Sequence, residues 1–219
     1  DPAAAERALK QVVAKARYSE FRDPEDHVKL VKALVKRGDP QAAGAVVRDL
    51  ESDTTITVRA RQVVNATGVW TDETQSLGGQ RGQFHVRASK GILLVVPKDR
   101  IRSEVGLILR TEKSVLFVIP WDQHWIIGTT DTDWALDLAH PAATATDIEY
   151  LLEHVNTVLA SPLTRDDILG VYAGLRPLLA GESEDTSALS REHAVARPQP
   201  GLISIAGGKY TTYRAMAED

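Results

Sequence analysis

Short apolar segments crowd residues 84–129, and they constrain the fold of this chain more than any other feature. Five of them have the length and apolar character of strands: 84–89, 91–96, 105–109, 115–121 and 125–129. Short turn sequences separate most of them, and strands joined by such connections pair antiparallel with their neighbours. The sequence therefore predicts a largely antiparallel sheet over this region.

Further strands and a few helices are predicted on both sides of this sheet. The segment 55–61 alternates between apolar and polar residues, which is typical of a half-buried antiparallel strand. The other predictions are strands at 27–36, 43–50, 63–64, 168–175, 194–197 and 202–205, helices at 3–18, from 146 and at 210–217, and a loop at 75–83. Thr146 and Glu149 form a capping box at the start of the middle helix. Sheet segments with scattered helices indicate an α+β fold.

Composition and spacing exclude several classes of function. The formal net charge of −4 argues against nucleic acid as the main partner, because phosphate backbones select basic surfaces. The chain has no Cys, which excludes disulfides, thiolate metal sites and cysteine nucleophiles and fits a reducing cytoplasm. The six His have no metal-binding spacing, so no metal is expected. No apolar run approaches the roughly 18 residues that a membrane helix needs.

The strand at 63–64 leads into a turn made of small residues, Ala66, Thr67 and Gly68. Small side chains let a flat ring or a pyrophosphate approach the backbone closely. The sequence therefore offers this turn as a cofactor contact, and a tight turn without a ligand is the alternative interpretation.

A single arginine, Arg176, stands at the end of an apolar strand, with Pro177 directly after it. A guanidinium group binds phosphate or carboxylate through two parallel hydrogen bonds. Arg176 is therefore a candidate anion-binding residue. The alternative is a structural role, in which it pairs with an acid such as Glu182 or Asp185.

Near the carboxyl end, a buried strand is followed by Gly207, Gly208 and the start of a helix. The N–H groups and the positive dipole end of a helix start favour an anion, and Lys209 adds a full charge. Thr211 adds a hydroxyl at the same place. An ordinary strand–helix turn is the alternative. Residues 128–131, Gly-Thr-Thr-Asp, are a weaker candidate for lining a pocket, and a turn at a strand end is the favoured interpretation there.

Taken in order, these motifs resemble those of flavin-dependent glycerol-3-phosphate dehydrogenases, especially the bacterial ones. The resemblance covers residues 27–218 and rests on VVNATGVWTDE, ASKG followed by LVVP, FVIPW followed by IIGTTDTD, TRDDILGVYAGLRPL, SREH and GGKYTTYR. It implies a Rossmann-like FAD-binding part of the D-amino-acid-oxidase type, interleaved with a sheet-rich substrate domain. It assigns residues 1–74 to the FAD-binding domain, 75–165 to the substrate domain, and 166–219 to a return to the FAD and substrate interface.

The resemblance also implies an activity and a set of site residues. The activity is oxidation of sn-glycerol 3-phosphate to dihydroxyacetone phosphate, with a hydride passing to FAD and the electrons to a quinone-type acceptor. The residues implied at the cofactor are Ala66, Thr67, Gly68, Gly174, Gly207, Gly208, Lys209 and Thr211, and those implied at the substrate are Arg176, Arg191 and Lys209. Family members often lie at the inner face of the cell membrane, so the resemblance adds that surface as a peripheral partner.

The chain departs from the family pattern in two ways. The family opens with a GxGxxG dinucleotide fingerprint, which is absent here, and the chain does not begin with Met. We therefore expect a fragment that lacks the N-terminal FAD segment and any helical domain after Asp219, and that holds FAD weakly by itself. The family also commonly has His, a candidate general base, where this chain has Leu93, which cannot accept a proton.

Two alternatives to the dehydrogenase follow from these observations. Leu93 and the absent fingerprint favour a non-catalytic ligand-binding module of the same fold. A related flavin oxidase acting on amines or amino acids is the other alternative, because one arginine can clamp a substrate carboxylate. Two arginines and Lys209 suit a phosphate better than a carboxylate.

Overall fold

The computed structural model describes residues 28–35, 43–49, 51–77, 84–112, 115–180 and 192–219. The chain divides into two compact units. The first unit comprises residues 1–85, 193–206 and 217–219, and the second comprises 86–192 and 207–216. The three-part division drawn from the sequence stays a prediction, and the predicted helix at 3–18 lies outside the described residues.

Twelve strands are formed by the described residues: β1 (Val28–Val35), β2 (Ala43–Asp49), β3 (Thr54–Ala60), β4 (Val63–Asn65), β5 (Val86–Pro97), β6 (Leu107–Arg110), β7 (Val115–Trp121), β8 (His124–Gly128), β9 (Thr132–Asp133), β10 (Gly170–Leu179), β11 (His193–Gln199) and β12 (Leu202–Gly207). The α-helices are α1 (Thr71–Leu77), α2 (Ala145–Asn156) and α3 (Tyr213–Glu218). Within these residues no helix is long and apolar enough to cross a membrane.

The first unit contains two three-stranded sheets. One is the antiparallel meander β1-β2-β3, whose neighbouring strands follow one another in the chain. The other has the order β11-β12-β4, and β12 runs parallel to β4. Parallel strands need a long crossover connection, and here β4 and β12 are separated by more than 100 residues that include the sheet of the second unit.

The second unit is built on an antiparallel sheet of order β10-β5-β8-β7-β6, and the short β9 pairs with β5. One face of this sheet packs against α2 and forms the core. The buried residues of that core are Ile92, Leu94, Val96, Ile101, Leu116, Val118, Trp125, Ile127, Leu151, Leu152, Val155 and Leu163. Side chains of successive residues in a strand point to opposite faces of the sheet. Because Ile92, Leu94 and Val96 of β5 lie in the core, the odd-numbered residues of β5 lie on the opposite face.

The other side of this sheet is its open face, defined here by Gly91, Leu93, Tyr172, Gly174 and Arg176. Directly opposed residues in antiparallel strands point to the same face. Leu93 is opposed by Tyr172, and Gly91 is opposed by Gly174. Leu93 is half-buried, whereas Tyr172 is 62% exposed. The open face therefore brings together residues from the two motifs that the sequence singled out, KGILLVVP and VYAGLRP.

The structure joins two predicted strands into one. Segments 84–89 and 91–96 were expected to be separate strands, but residues 86–89 and 91–96 belong to one strand, β5, which continues through Lys90. Glycine costs backbone entropy in a strand and is retained where another group approaches closely. Here the guanidinium of Arg176 lies against Gly91, which explains a glycine inside a continuous strand.

Two helices differ from the predictions, one in where it starts and one in having been predicted partly as a loop. The N-cap of α2 is Thr144, which forms its capping box with Asp147, two residues before the predicted pair of Thr146 and Glu149. The helix α1 covers residues 75–77 of the predicted loop. Its first residue, Thr71, is fully buried and donates a 2.7 Å hydrogen bond to the carbonyl of Gly68, which stabilises the entry to that helix.

Candidate functional site

Arg176 is held on the open face by contacts on two sides. Its Nη2 donates a 2.6 Å hydrogen bond to Thr129 Oγ1. Its guanidinium lies over Gly91, where an added Cβ would stand 2.3 Å from Nη2. A hydrogen bond and a tight backbone contact fix the plane of the guanidinium before any ligand arrives. The acids considered as alternative partners, Glu182 and Asp185, lie outside the described residues.

The chain that carries Thr129 is itself tethered to β5 and α2. In the next three positions, the Thr130 hydroxyl accepts a 3.1 Å bond from the backbone N–H of Ile92, and Asp131 accepts a hydrogen bond from Ser89. The Thr132 hydroxyl donates a 3.2 Å bond to Asp147 of α2. We call residues 129–132 the tethered segment, since each of its side chains contacts a fixed group.

Beneath the tethered segment lies a buried ion pair between Lys90 and Asp147. The two charged atoms are 2.6 Å apart, and the side chains are 2% and 5% exposed. Lys90 Nζ also donates a 3.1 Å bond to the carbonyl of Ala142 and lies 4.9 Å from the centroid of the Trp134 ring. Burial raises the pKa of Asp147, but hydrogen bonds from Lys90 and Thr144 outweigh it, so that pKa lies below its usual value. The pair joins β5 to α2 under the site.

Gly207, the last residue of β12, and Gly208 contact other residues of the second unit. Gly207 has φ +75°, and an added Cβ would stand 2.4 Å from the carbonyl oxygen of Glu192. The N–H of Gly208 donates a 3.2 Å bond to that same carbonyl. Gly207 also packs against Leu179 at the end of β10, the strand that carries Arg176. The close contacts of Gly207 and the bonded N–H of Gly208 therefore hold this loop in place.

Lys209 and Thr211 are both exposed at the end of this loop. The backbone N–H of Lys209 lies 3.3 Å from Thr212 Oγ1, which accepts its hydrogen bond, and Tyr210–Thr212 form a 3₁₀ turn before α3. The loop offers an anion the exposed side chains of Lys209 and Thr211. The N–H groups of Gly208 and Lys209 are bonded within the chain, and the anion site expected at this helix start stays a prediction.

The strand-end turn of the first unit keeps an accessible backbone. Ala66 is exposed, and Gly68 has φ +62°, a conformation that favours glycine. The Thr67 hydroxyl donates a 2.7 Å bond to Asn65 Oδ1, so it stabilises the turn itself. Of the three residues, Ala66 and Gly68 are the ones whose backbone a flat ligand could approach closely.

The structure thus separates the predicted site residues into two groups. Gly174, Arg176, Gly207, Gly208, Lys209 and Thr211 belong to the second unit, whereas Ala66, Thr67 and Gly68 belong to the first. Arg191 lies outside the described residues. Sequence reasoning missed Gly91 and underrated Thr129, although the polar run Gly-Thr-Thr-Asp at a strand end was the signal that could have found Thr129.

A match to a family model decides the affiliation of the chain. Residues 6–214 match the family described as FAD dependent oxidoreductase. The chain belongs to this family. Its fold is also that of a solved structure, the glycerol-3-phosphate dehydrogenase from Bacillus halodurans complexed with FAD, with a TM-score of 0.75 and 35% identity. That match covers 87% of this chain and 36% of the other, and it confirms the fold class expected from the motifs.

Sequence relatives carry the same name. A Mycobacterium bovis protein called glycerol-3-phosphate dehydrogenase 2 is 69% identical over 189 residues, covering 86% of this chain and 32% of its own length. The human protein called glycerol-3-phosphate dehydrogenase, mitochondrial, is 36% identical over 199 residues, covering 86% of this chain and 27% of its own length. The chain therefore spans about a third or less of these relatives. A glycine oxidase from Bacillus cereus shares the fold alone, with a TM-score of 0.58 and 16% identity.

Proposed function

We propose that the protein containing this chain oxidises sn-glycerol 3-phosphate to dihydroxyacetone phosphate with FAD, and passes the electrons to a quinone-type acceptor. The observation that supports this most directly is the guanidinium of Arg176, fixed on the open face between Thr129 and Gly91. Relatives up to 69% identical carry the name glycerol-3-phosphate dehydrogenase. The acceptor and a peripheral place at the inner face of the membrane are supported by the motif resemblance alone.

Each of the two units has described residues that suit contact with FAD. Gly174 is exposed, and no atom of the described chain lies within 4 Å of the position where its Cβ would stand. Ala66 and Gly68 leave the backbone of their turn accessible to a flat group. Bound FAD supplies a hydride acceptor for the substrate carbon. Lys209 and Thr211 are the exposed donors that would face the negative charge developing on it.

The substrate is a phosphate dianion with two hydroxyls, and the residues of this chain bind its charged end. Arg176 forms charge-assisted hydrogen bonds with the phosphate oxygens, and Lys209 and Arg191 add positive charge. Binding the remote phosphate anchors the substrate equally in the ground state and the transition state, so its loss is expected to raise the KM more than it lowers kcat. An arginine already fixed by Thr129 and Gly91 loses little conformational entropy on binding.

Leu93 gives the open face an apolar side chain next to Tyr172 and Gly128. The reaction removes a hydride from carbon and a proton from the hydroxyl of the same carbon. Leu93 accepts no proton, so the proton passes to a different group. This position also favours the second candidate function, a module that binds the same ligand without turning it over.

Anaerobic reduction of the flavin tests the proposal. The complete gene product, purified with FAD, is expected to be yellow and to bleach when sn-glycerol 3-phosphate is added without an acceptor, whereas glycine leaves the colour unchanged. Arg176→Gln is expected to raise the KM for glycerol 3-phosphate by about 10- to 100-fold, since it removes hydrogen bonds to a charged group. Calorimetric binding of glycerol 3-phosphate without bleaching would favour the module, and bleaching by glycine would favour an amino-acid oxidase.

A further inference from the structure

The hydrogen bond from Arg176 to Thr129 joins the site to a residue to which the resemblance gave no role. Thr129 directly follows β8, and its Oγ1 accepts a 2.6 Å bond from Arg176 Nη2. A guanidinium carries five N–H donors in one plane. A short bond at one of them, together with the backbone of Gly91 below, sets the rotation of the whole plane.

Thr129 is able to set that plane because its own position is fixed. The following residues of the tethered segment are bound by Ile92 N–H, Ser89 and Asp147, as described above. Ser89 is fully buried, and Asp147 is held by Lys90 at 2.6 Å. The partners of the three residues after Thr129 are therefore buried groups, and these order a side chain better than solvent does.

We propose that Thr129 is a positioning residue for substrate binding: its hydroxyl holds the Arg176 guanidinium in the orientation that receives the substrate phosphate. The inference rests on the proposed function, because it takes the phosphate of glycerol 3-phosphate as the group that Arg176 binds. Thr129 acts through Arg176 and contributes no proton or electron to the reaction. Its loss is therefore expected to weaken binding and to leave the chemical step nearly unchanged.

The test compares Thr129→Val, which keeps the shape and removes the hydroxyl, with Thr129→Ser, which keeps the hydroxyl. In the complete gene product, Thr129→Val is expected to raise the KM for glycerol 3-phosphate about tenfold with kcat within about twofold, the size of one lost hydrogen bond to a charged group. Thr129→Ser is expected to restore the KM. Thr146→Val is the matched control, because Thr146 is exposed on α2, outside the tethered segment.

A double-mutant cycle separates positioning from a direct contact between Thr129 and substrate. If Thr129 acts through Arg176, adding Thr129→Val to Arg176→Gln changes the KM by less than about twofold. A full tenfold effect in the Arg176→Gln background would overturn the positioning role, because Thr129 would then act on its own. An unchanged KM in Thr129→Val would also overturn the positioning role. In that case, turnover of glycerol 3-phosphate by the wild type would still support the proposed function. If the wild type itself fails to oxidise glycerol 3-phosphate, the proposed function fails and the positioning role falls with it.

Discussion

At the scale of single residues, the lack of a side chain at Gly91 leaves room for the guanidinium of Arg176. A Cβ at this position would stand 2.3 to 2.7 Å from three atoms of the Arg176 guanidinium. That group is the far end of a flexible side chain, so it moves aside more easily than the strand does. We expect Gly91→Ala to raise the KM for glycerol 3-phosphate about tenfold, as the fixed orientation of the guanidinium is lost.

Gly170→Ala on β10 is the matched control, since no atom of the described residues lies within 4 Å of the Cβ that it adds. Both variants are expected to unfold within a few degrees of the wild type, roughly what a change of 1 kcal/mol produces. Steady-state kinetics and thermal unfolding measure the two effects separately. A Gly91→Ala variant with normal KM would show that the guanidinium position does not matter for binding.

The sequence alone identified Arg176 as a candidate anion-binding residue, but it did not show that Thr129 and Gly91 hold its guanidinium. Arg176 stands out because a lone guanidinium in an apolar strand needs a reason to be there. Thr129 does not stand out, because threonine after a strand is typical of a turn. Gly91 was predicted as the first residue of a separate strand, 91–96, and only the register of β5 with β10 reveals the neighbour that requires a glycine there.

At the scale of elements, one buried ion pair links the central strand β5 to the helix α2. Lys90 and Asp147 are almost fully inaccessible, and α2 has Asp147 in its capping box with Thr144. Asp147→Asn would leave the Lys90 charge buried without its partner. We expect this change to lower the free energy of unfolding by about 3 to 5 kcal/mol, as measured by denaturant titration. The double variant Lys90→Met with Asp147→Leu is expected to recover much of that loss.

The same pair predicts how stability depends on pH. The pKa of Asp147 in the folded protein lies below its usual value, with the opposing effect of burial outweighed by bonds from Lys90 and Thr144. A carboxyl with a depressed pKa contributes stability above its unfolded pKa of about 3.9, and that contribution is lost as the pH falls further, through the folded value. Below about pH 4, the wild type should therefore lose stability more steeply than Asp147→Asn. Parallel slopes for the two proteins would contradict this account.

The elements themselves were largely predictable, and the exceptions have local causes. Short apolar runs and turn residues placed most strands of the main sheet, because one face of that sheet is a continuous apolar core. The start of α2 was misplaced because both Thr144 and Thr146 are followed three residues later by an acid, and the buried Asp147 decides between them. The helix α1 was missed because its polar residues lack an apolar stripe, and its entry depends on the buried Thr71.

At the scale of the whole molecule, the chain spans about a third or less of the relatives that it matches. Its second unit offers an open Gly174 and the donors Lys209 and Thr211. These suit the flavin end of FAD. Its sequence contains no GxGxxG segment, and that motif is what binds the pyrophosphate of dinucleotides at a helix N-terminus. Most contacts with the pyrophosphate and adenosine are therefore not expected from these 219 residues.

This division of contacts predicts the cofactor affinity of the 219-residue polypeptide. We expect it to bind FAD at least about 100-fold more weakly than the complete gene product does, the equivalent of roughly 3 kcal/mol of missing contacts. FMN and FAD should bind it with dissociation constants within about twofold of each other, because the adenylate half of FAD would find no partner. Quenching of flavin fluorescence measures both constants, and circular dichroism first establishes that the polypeptide is folded. Tight binding of FAD with a strong preference over FMN would show instead that these residues bind the pyrophosphate by themselves.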